Sequence, residues 1–188
     1  MNAYDWDRTV FRNDTTAGFF LFCCRRYPEV RRFIPLATKI ALRHLSGKPP
    51  LPEQKRAYYR YLALVPNVDE AVRAFWDENA KLIGPPAMPC DPLPGDVIVS
   101  ASAEFLLRSI CESRGWLLIG TVLDPKTGEQ TGIDCYGEEK VRRFRERFGE
   151  DASIENWYSD STSDAPMARL ARNAFLVKPG GTKPWPRA

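Results

Sequence analysis

Two acids with a single residue between them, Asp5 and Asp7, lie close behind the first methionine in the stretch Tyr4-Asp5-Trp6-Asp7-Arg8-Thr9-Val10. A buried strand over Ala3 to Trp6 would send Tyr4 and Trp6 to one face, because successive side chains alternate. Asp5 and Asp7 must then sit at or past the end of that strand, where they can leave the apolar interior. Two unpartnered buried carboxylates that close repel, and one takes up a proton. A bound cation removes the repulsion. Hard divalent metals such as Mg2+ prefer carboxylate and carbonyl oxygens and commonly take further ligands from substrate phosphate and water. The stretch therefore points to a metal and a phosphate together. Asp and Thr are also ordinary turn and helix-cap residues, so the remainder of the chain has to decide between the two readings.

At 188 residues with 44% apolar content, the chain can bury one good core and carry a smaller inserted subdomain. No apolar run approaches the roughly 20 residues of a membrane span. The N-terminus has acids where a secretory signal would have basic residues and a long apolar region, so a cytoplasmic protein is expected. The five cysteines are odd in number and show no C-x-x-C spacing, which predicts buried, reduced thiols rather than a zinc or redox site. Between Arg25 and Lys48, seven Arg or Lys residues face the single acid Glu29, a local charge of +6 in a chain of net +3. That segment reads either as a solvated helical face or as a surface for an anionic substrate or membrane. The only histidine, His44, lies within it with no second histidine nearby and is assigned no metal or catalytic role. Without zinc spacing or an RNA-binding aromatic motif, nucleic acid is not an expected partner.

From Thr15 to about Ile83 the texture is helical. Asp14 or Thr15 caps a helix ending at Arg26, and Pro28 stops it. Val30 to Phe33 reads as a helical turn, Pro35 as an interruption, and Leu36 to Leu45 as a helix. A break over residues 46–50 separates this from a helix over Pro52 to Val65. Asn67, three residues before Glu70, caps a last helix whose apolar face is Val72, Phe75, Trp76 and Leu82. Residues 84–95 are rich in Gly and Pro and read as a return linker. Strands and helices then alternate: strands at Val97–Ser100, Trp116–Gly120, Ile154–Tyr158 and Ala174–Val177, and helices at Ala103–Arg114, Glu138–Phe148 and Ala165–Ala171. A small hairpin is expected between Val122 and Ile133, and an irregular tail from Lys178. The alternation predicts an α/β fold, a parallel sheet covered on both faces.

Ligands of such folds lie beyond the carboxyl ends of the strands, near the point where strand order reverses. Besides Asp5 and Asp7, polar residues fall there in a fixed order: Ser100 after Val97-Ile98-Val99, Lys140 in the helix after Gly137, and Asp160 with Asp164 after the strand ending at Tyr158. This ordered set resembles the haloacid dehalogenase-like hydrolase superfamily, in its phosphoserine-phosphatase-like branch. The family's D-x-D-x-T is matched by Asp5, Asp7 and Thr9, its Ser or Thr by Ser100, its Lys by Lys140, and its acid pair D-x-x-x-D by Asp160 and Asp164. The resemblance implies a Rossmann-like core over 1–14 and 85–188 with an all-helical cap over 15–84. It implies Asp5 as the nucleophile that forms an aspartyl-phosphate and Asp7 as the acid that protonates the leaving oxygen and then activates water. Mg2+ would be held by Asp5, the Asp7 main-chain carbonyl and Asp160, with Asp164 in support. Thr9, Ser100 and Lys140 would serve phosphate binding, Lys140 also restraining Asp5.

The chain departs from the family pattern at informative places. Arg8 stands where a small residue is usual, Ala101-Ser102 replaces two glycines after Ser100, and Ser159-Asp160-Ser161 replaces G-D-G. Asp14 stands where a Glu binds the substrate ammonium in phosphoserine phosphatases. Arg8 and Asp14 are thus the candidates for substrate specificity, and serine phosphate is not assured as substrate. The expected activity is Mg2+-dependent hydrolysis of a small phosphomonoester. One alternative is a phosphorylated lipid head group at an anionic membrane surface, since residues 135–140 and 158–161 look like the corresponding stretches of bacterial phosphatidylglycerophosphate phosphatases. The other is a non-catalytic phosphate-binding regulatory protein.

Overall fold

In the computed structural model, which describes residues 1–46, 51–84 and 91–186, six strands form one sheet. They are β1 (Ala3–Tyr4), β2 (Val97–Ala103), β3 (Leu117–Thr121), β4 (Ile154–Ser159), β5 (Ala171–Lys178) and β6 (Gly181–Pro184), in the order β3-β2-β1-β4-β5-β6. The first five are parallel, and β6 runs antiparallel to β5. The chain leaves β1 towards β2 and β3, then returns across it to β4 and β5. Strand order therefore reverses beside β1, which makes the carboxyl ends of β1 and β4 the natural crevice for a ligand. This is the α/β, Rossmann-like arrangement expected from the sequence.

Four helices lie between β1 and β2: α1 (Thr15–Arg26), α2 (Ile34–Leu45), α3 (Pro52–Tyr59) and α4 (Val68–Asn79), with 3-10 turns at Pro28–Phe33, Arg60–Leu64 and Ala80–Leu82. The Asp14 side chain caps α1 by accepting the Ala17 N–H at 2.9 Å, and Asn67 caps α4 by accepting that of Glu70 at 3.1 Å. Pro35 does not interrupt α2 but sits in its first turn. A proline is harmless there because the first amides of a helix have no intrahelical acceptor. After β2 come α5 (Glu104–Ser113), then α6 (Glu138–Phe148) after β3 and α7 (Ala165–Leu170) after β4. Glycines 137 and 149, both with positive φ, bracket α6. No described helix is long and apolar enough to cross a membrane.

Alternation along the strands builds two apolar layers. Tyr4, Ile98 and Tyr158 face the inserted helices and α5 in one cluster, whereas Ala3, Val97, Val99 and Trp157 face α6 and α7 in the other. Tyr4, Tyr158 and Phe175, in register across β1, β4 and β5, stack with successive centroids 5.0 Å apart. The inserted helices share their core with the sheet, since Phe19, Phe75 and Trp76 belong to the cluster that holds Tyr4 and Trp6. The free carbonyls of the edge strand β3 are covered from α6: Arg143 donates to Gly120 O and Arg147 to Leu118 O. Such cover blunts an edge that would otherwise invite another strand.

Other elements also differ from expectation: the helix expected over Pro52 to Val65 is α-helical only to Tyr59 and continues as the 3-10 turn Arg60–Leu64. β1 is only two residues long because Trp6 leaves the sheet, fully buried, and its carbonyl accepts the amides of Thr9, Val10 and Phe11. The tail is not irregular: the chain turns at Pro179-Gly180, and β6 pairs with the free edge of β5. Pro184, which has no N–H, closes β6 at the outer edge of the sheet, where a missing donor is tolerated. The expected break over 46–50 and the first half of the return linker, with Cys90, fall largely on residues outside those described. The hairpin between Val122 and Ile133 is held by a bridge between Leu123 and Gln130, and its tip reaches the inserted helices. A Cβ on Gly128, at φ 74°, would meet Tyr59 O at 2.0 Å. Gly128→Ala therefore forces backbone apart at a left-handed position, and it is expected to lower stability by roughly 2–3 kcal/mol in denaturant titration. A change under about 0.5 kcal/mol would show that the tip is not packed there.

Candidate active site

The loop that leaves β1 is fixed before it reaches any ligand. Trp6 packs edge-on against Trp76 and Trp116, and its Nε1 donates to Thr15 Oγ1 at 2.7 Å. The Asp5 amide donates to Tyr158 O at 2.8 Å, which ties the start of the loop to β4. Thr9, also buried, accepts the Asp160 amide on its hydroxyl at 2.9 Å and joins the loop after β1 to the loop after β4. The two carboxyl-terminal loops of the crevice thus form one hydrogen-bonded unit.

Within that unit Lys140 is the hub. Its ammonium is buried, 2.7 Å from Asp5 Oδ1 and 2.9 Å from Asp164 Oδ2, and 5.5 Å from the centre of the Trp157 ring. Ser159 Oγ donates to the same Asp164 oxygen at 2.7 Å. Burial alone would drive the lysine towards neutrality, but the Asp5 and Asp164 charges prevail and hold its pKa above the ordinary value. Asp5 is pushed up to about 8 by burial, with Asp164 and Asp160 adding repulsion and Lys140 opposing. Burial also raises Asp160, against the attraction of Arg8 and Lys178. Two buried acids, Asp5 and Asp164, thus share one buried ammonium, with the partly buried Asp160 beside them.

Asp7 lies on the other side of the loop. Its Oδ1 accepts the Thr15 N–H at 2.6 Å and its Oδ2 accepts the Ser102 hydroxyl at 2.6 Å. Burial, with help from the Asp14 charge, pushes Asp7 up to about 6, and the Ser102 and Thr15 hydrogen bonds restrain the rise. A carboxyl tuned towards neutrality is suited to acid and base work. Ser100 is buried at the end of the β2 core run, where its Oγ accepts the Ser102 amide at 3.0 Å.

Arg8 and Asp14 meet at the rim, 3.2 Å apart, and Arg8 also reaches to 3.9 Å from Asp160. Arg8 is the one non-glycine residue with positive φ among those described, at 60°. A bulky residue in that region costs of order 1–3 kcal/mol and is found mostly at functional sites.

The residues present fit a hard cation. Asp5 has one oxygen on Lys140 and the other without a hydrogen bond among the described residues, and Asp160 has only the distant Arg8 on its carboxylate. No group of three or more His, Cys, Asp or Glu side chains among the described residues forms a metal site. Two carboxylates and the Asp7 carbonyl would supply an all-oxygen partial shell, which suits Mg2+ because that ion usually retains several waters. Asp164 is directed at Lys140 and Ser159 and would support the set from behind.

The structure brings Asp5, Lys140, Asp160 and Asp164 together, and it joins Asp7 to Ser100 through Ser102, whose hydroxyl bonds the first and whose amide bonds the second. His44 belongs to α2, and four cysteines, Cys23, Cys24, Cys111 and Cys135, are buried free thiols. Ser102 stands out in the sequence only as a departure from the family pattern, and neither it nor Lys55, which contacts the neighbouring Ala101 O, has a role assigned there. Period-two alternation from Ser100 is the signal for Ser102. Lys55 of α3, which pairs with Asp134 at 2.8 Å and reaches 3.4 Å from Ala101 O, has no local signal.

Comparison with known proteins agrees with the fold. The family model for haloacid dehalogenase-like hydrolases matches residues 3–169. Protein CicA of Caulobacter vibrioides is 37% identical over 81 residues, 40% of this chain and 36% of that protein, so the match spans about a third of that relative. A protein of unknown function from Bordetella pertussis Tohama I shares the fold at TM-score 0.63 and 19% identity, over 96% of this chain and 91% of the other. A phosphoserine phosphohydrolase-like protein from Francisella tularensis SCHU S4 aligns at TM-score 0.55 and 12% identity, over 93% and 86%. With the family model spanning β1 to β4, the inserted helices and Asp5, Asp7, Asp160 and Asp164, the chain belongs to the haloacid dehalogenase-like hydrolases.

Proposed function

We propose that this protein is a Mg2+-dependent phosphatase of small phosphomonoesters that works through an aspartyl-phosphate on Asp5. The observation that carries the reading is that two buried acids, Asp5 and Asp164, share the single buried ammonium of Lys140, with Asp160 beside them, so the site needs further positive charge before it can receive a phosphate. Mg2+, when bound, would supply that charge and neutralise the phosphoryl oxygens. Lys140 restrains the Asp5 carboxylate through Oδ1, and Asp5 attacks phosphorus. As the new P–O bond forms and the ester P–O bond breaks, Asp7 gives its proton to the leaving oxygen. Asp7 then takes a proton from water, whose oxygen attacks phosphorus and releases phosphate and the Asp5 carboxylate. Ser100 and Lys140 serve the phosphoryl oxygens, Thr9 keeps Asp160 in place, and Asp164 fixes Lys140. Residues 15–84 act as a helical cap that excludes water from this chemistry, over a core formed by 1–14 and 85–188. Arg8 and Asp14, a charged pair at the rim, select the substrate. The protein works in the cytoplasm, in keeping with its buried free thiols.

One observation favours a lipid head group as substrate. The outward face of α2 carries Ile34, Leu42 and Leu45, at 44%, 62% and 82% exposure, beside Arg32 and Lys39. Apolar side chains flanked by cations suit an anionic bilayer.

Phosphate release from sugar phosphates, nucleotides, phosphoserine and phosphatidylglycerophosphate in vesicles, each with Mg2+ or chelator, tests both readings. Chelator-sensitive turnover is expected, and it is abolished in a folded Asp5→Asn protein. Turnover retained in Asp5→Asn would remove the nucleophile, and no turnover of any compound by folded protein with Mg2+ would favour a regulatory role.

Protonation and metal binding should oppose each other. Free carboxyls titrate near 4, whereas folded Asp5 and Asp7 are pushed up to about 8 and about 6. Across that window the folded chain holds protons that the unfolded chain has lost, so metal-free stability from these groups falls as pH rises. Mg2+ requires the ionised carboxylate and displaces the proton. Its stabilisation in thermal melts is therefore expected to be larger near pH 8 than near pH 5.5, and the reverse order would contradict the assignment.

A further inference from the structure

The turn that follows the β2 core run contains more than the single serine of the family pattern. Register between β2 and β3 shifts between Val99 and Ala103, a bulge of the kind that re-aims side chains near sites. The bulge is fastened from two sides, because Ala101 O accepts the Thr121 hydroxyl at 2.8 Å and the Lys55 ammonium approaches it at 3.4 Å. Gly120 makes room for it: a Cβ there would lie 3.0 Å from Ser102 O and 2.9 Å from Glu104 Cγ. The outcome is that Ser102, 3% exposed, reaches Asp7 Oδ2 at 2.6 Å.

Ser102 is also one link of a longer chain. Its oxygen is 3.2 Å from Thr16 Oγ1 of α1, which is 3.3 Å from the hydroxyl of Tyr59 of α3. Each hydroxyl has one hydrogen to donate. With the Ser102 hydrogen on Asp7, Thr16 must donate to Ser102 and Tyr59 to Thr16. With Asp7 ionised, the direction of the chain is therefore Tyr59 to Thr16 to Ser102 to Asp7. Hydroxyls can rotate and accept instead when the carboxyl holds a proton on Oδ2, which the Thr15 N–H on Oδ1 cannot do. A glycine at residue 102 would leave Asp7 with only its Thr15 contacts and would cut its link through Thr16 to Tyr59.

We propose that Ser102 is a positioning residue for Asp7, holding the carboxyl in line for proton delivery to the leaving oxygen, and that Thr16 and Tyr59 tie this position to the inserted helices. The proposal rests on the phosphatase reading and on Asp7 as its acid, and the test separates the two. An alkyl phosphate has a leaving group that must be protonated, whereas p-nitrophenyl phosphate has one that departs with little help. Comparing kcat/KM for the two isolates the steps up to formation of the aspartyl-phosphate. Ser102→Ala is expected to lower kcat/KM for the alkyl ester roughly 10- to 100-fold while changing that for p-nitrophenyl phosphate about 3-fold or less. Ser102→Thr, which keeps the hydroxyl, should recover most of the loss. Equal losses on both esters, or none on either, would overturn the role of Ser102. If Ser102→Ala fails to fold, Thr16→Val removes the donor to Ser102 and must show a smaller split of the same sign, and its absence overturns the proposal. Failure of the wild-type protein to turn over either ester would overturn the phosphatase reading itself.

Discussion

Lys140 lies buried between Asp5 and Asp164, and the arrangement of the crevice depends on that contact. A buried ammonium without partners would lose its proton or unfold its surroundings, and two buried acids without a cation would repel. Each group is tolerable only because the others are held in place. The three come from different parts of the chain: the loop after β1, the start of α6 and the segment after β4. Breaking such a buried pair by removing one partner typically costs about 3–5 kcal/mol, because it leaves an uncompensated charge. The site is thus a structural junction as well as a chemical one. With two buried acids to one ammonium, it is a junction that a cation, and with it an anionic substrate, would suit.

The surrounding fold explains why that junction can be rigid. Trp6, fully buried, turns the chain out of the sheet after only two strand residues and accepts three amides on its carbonyl. Asp5 and Asp7 are consequently presented on opposite sides of one anchored loop. Asp5 is turned to the charged hub, and Asp7 to hydroxyl and amide donors from β2 and α1. Two carboxylates with different surroundings can then take different roles; without a metal Asp5 holds its proton more tightly than Asp7, so the proposed attack by ionised Asp5 would need the charge of a bound cation. The inserted helices are not remote from this chemistry. They share an apolar cluster with the sheet, and Thr15, Thr16, Lys55 and Tyr59 bring polar contacts from them to the Asp7 side of the crevice.

Much of this is legible in the sequence because it is local. The bounds of α6 follow from Gly137 and Gly149, the caps of α1 and α4 from Asp14 and Asn67, and the strand ends from apolar runs that stop at polar residues. The four separated motifs mark one site only through the sheet order, which the strand and helix alternation implies. The features that sequence does not reveal are set by partners far along the chain. β6 forms because β5 offers an unpaired edge, although its Gly- and Pro-rich composition reads as coil. Pro35 reads as a break and is not one, because its effect depends on which turn of the helix it occupies. Lys55 finds Asp134 and Ala101 O only after α3 has packed on the core, and no spacing announces that. Ser102 is visible as an exception to a pattern, yet its contact with Asp7 needs the β2–β3 bulge, which is a tertiary feature.

The most direct question is whether Asp5 becomes phosphorylated during turnover. Protein quenched in acid while hydrolysing a phosphomonoester in the presence of Mg2+, then digested and weighed by mass spectrometry, would report the modified residue directly. One added phosphoryl group on the peptide containing Asp5, absent with chelator and absent in Asp5→Asn, is the predicted result. Steady turnover with no adduct on that peptide, or an adduct on another residue, would contradict the central role of Asp5 and of the lysine that holds it.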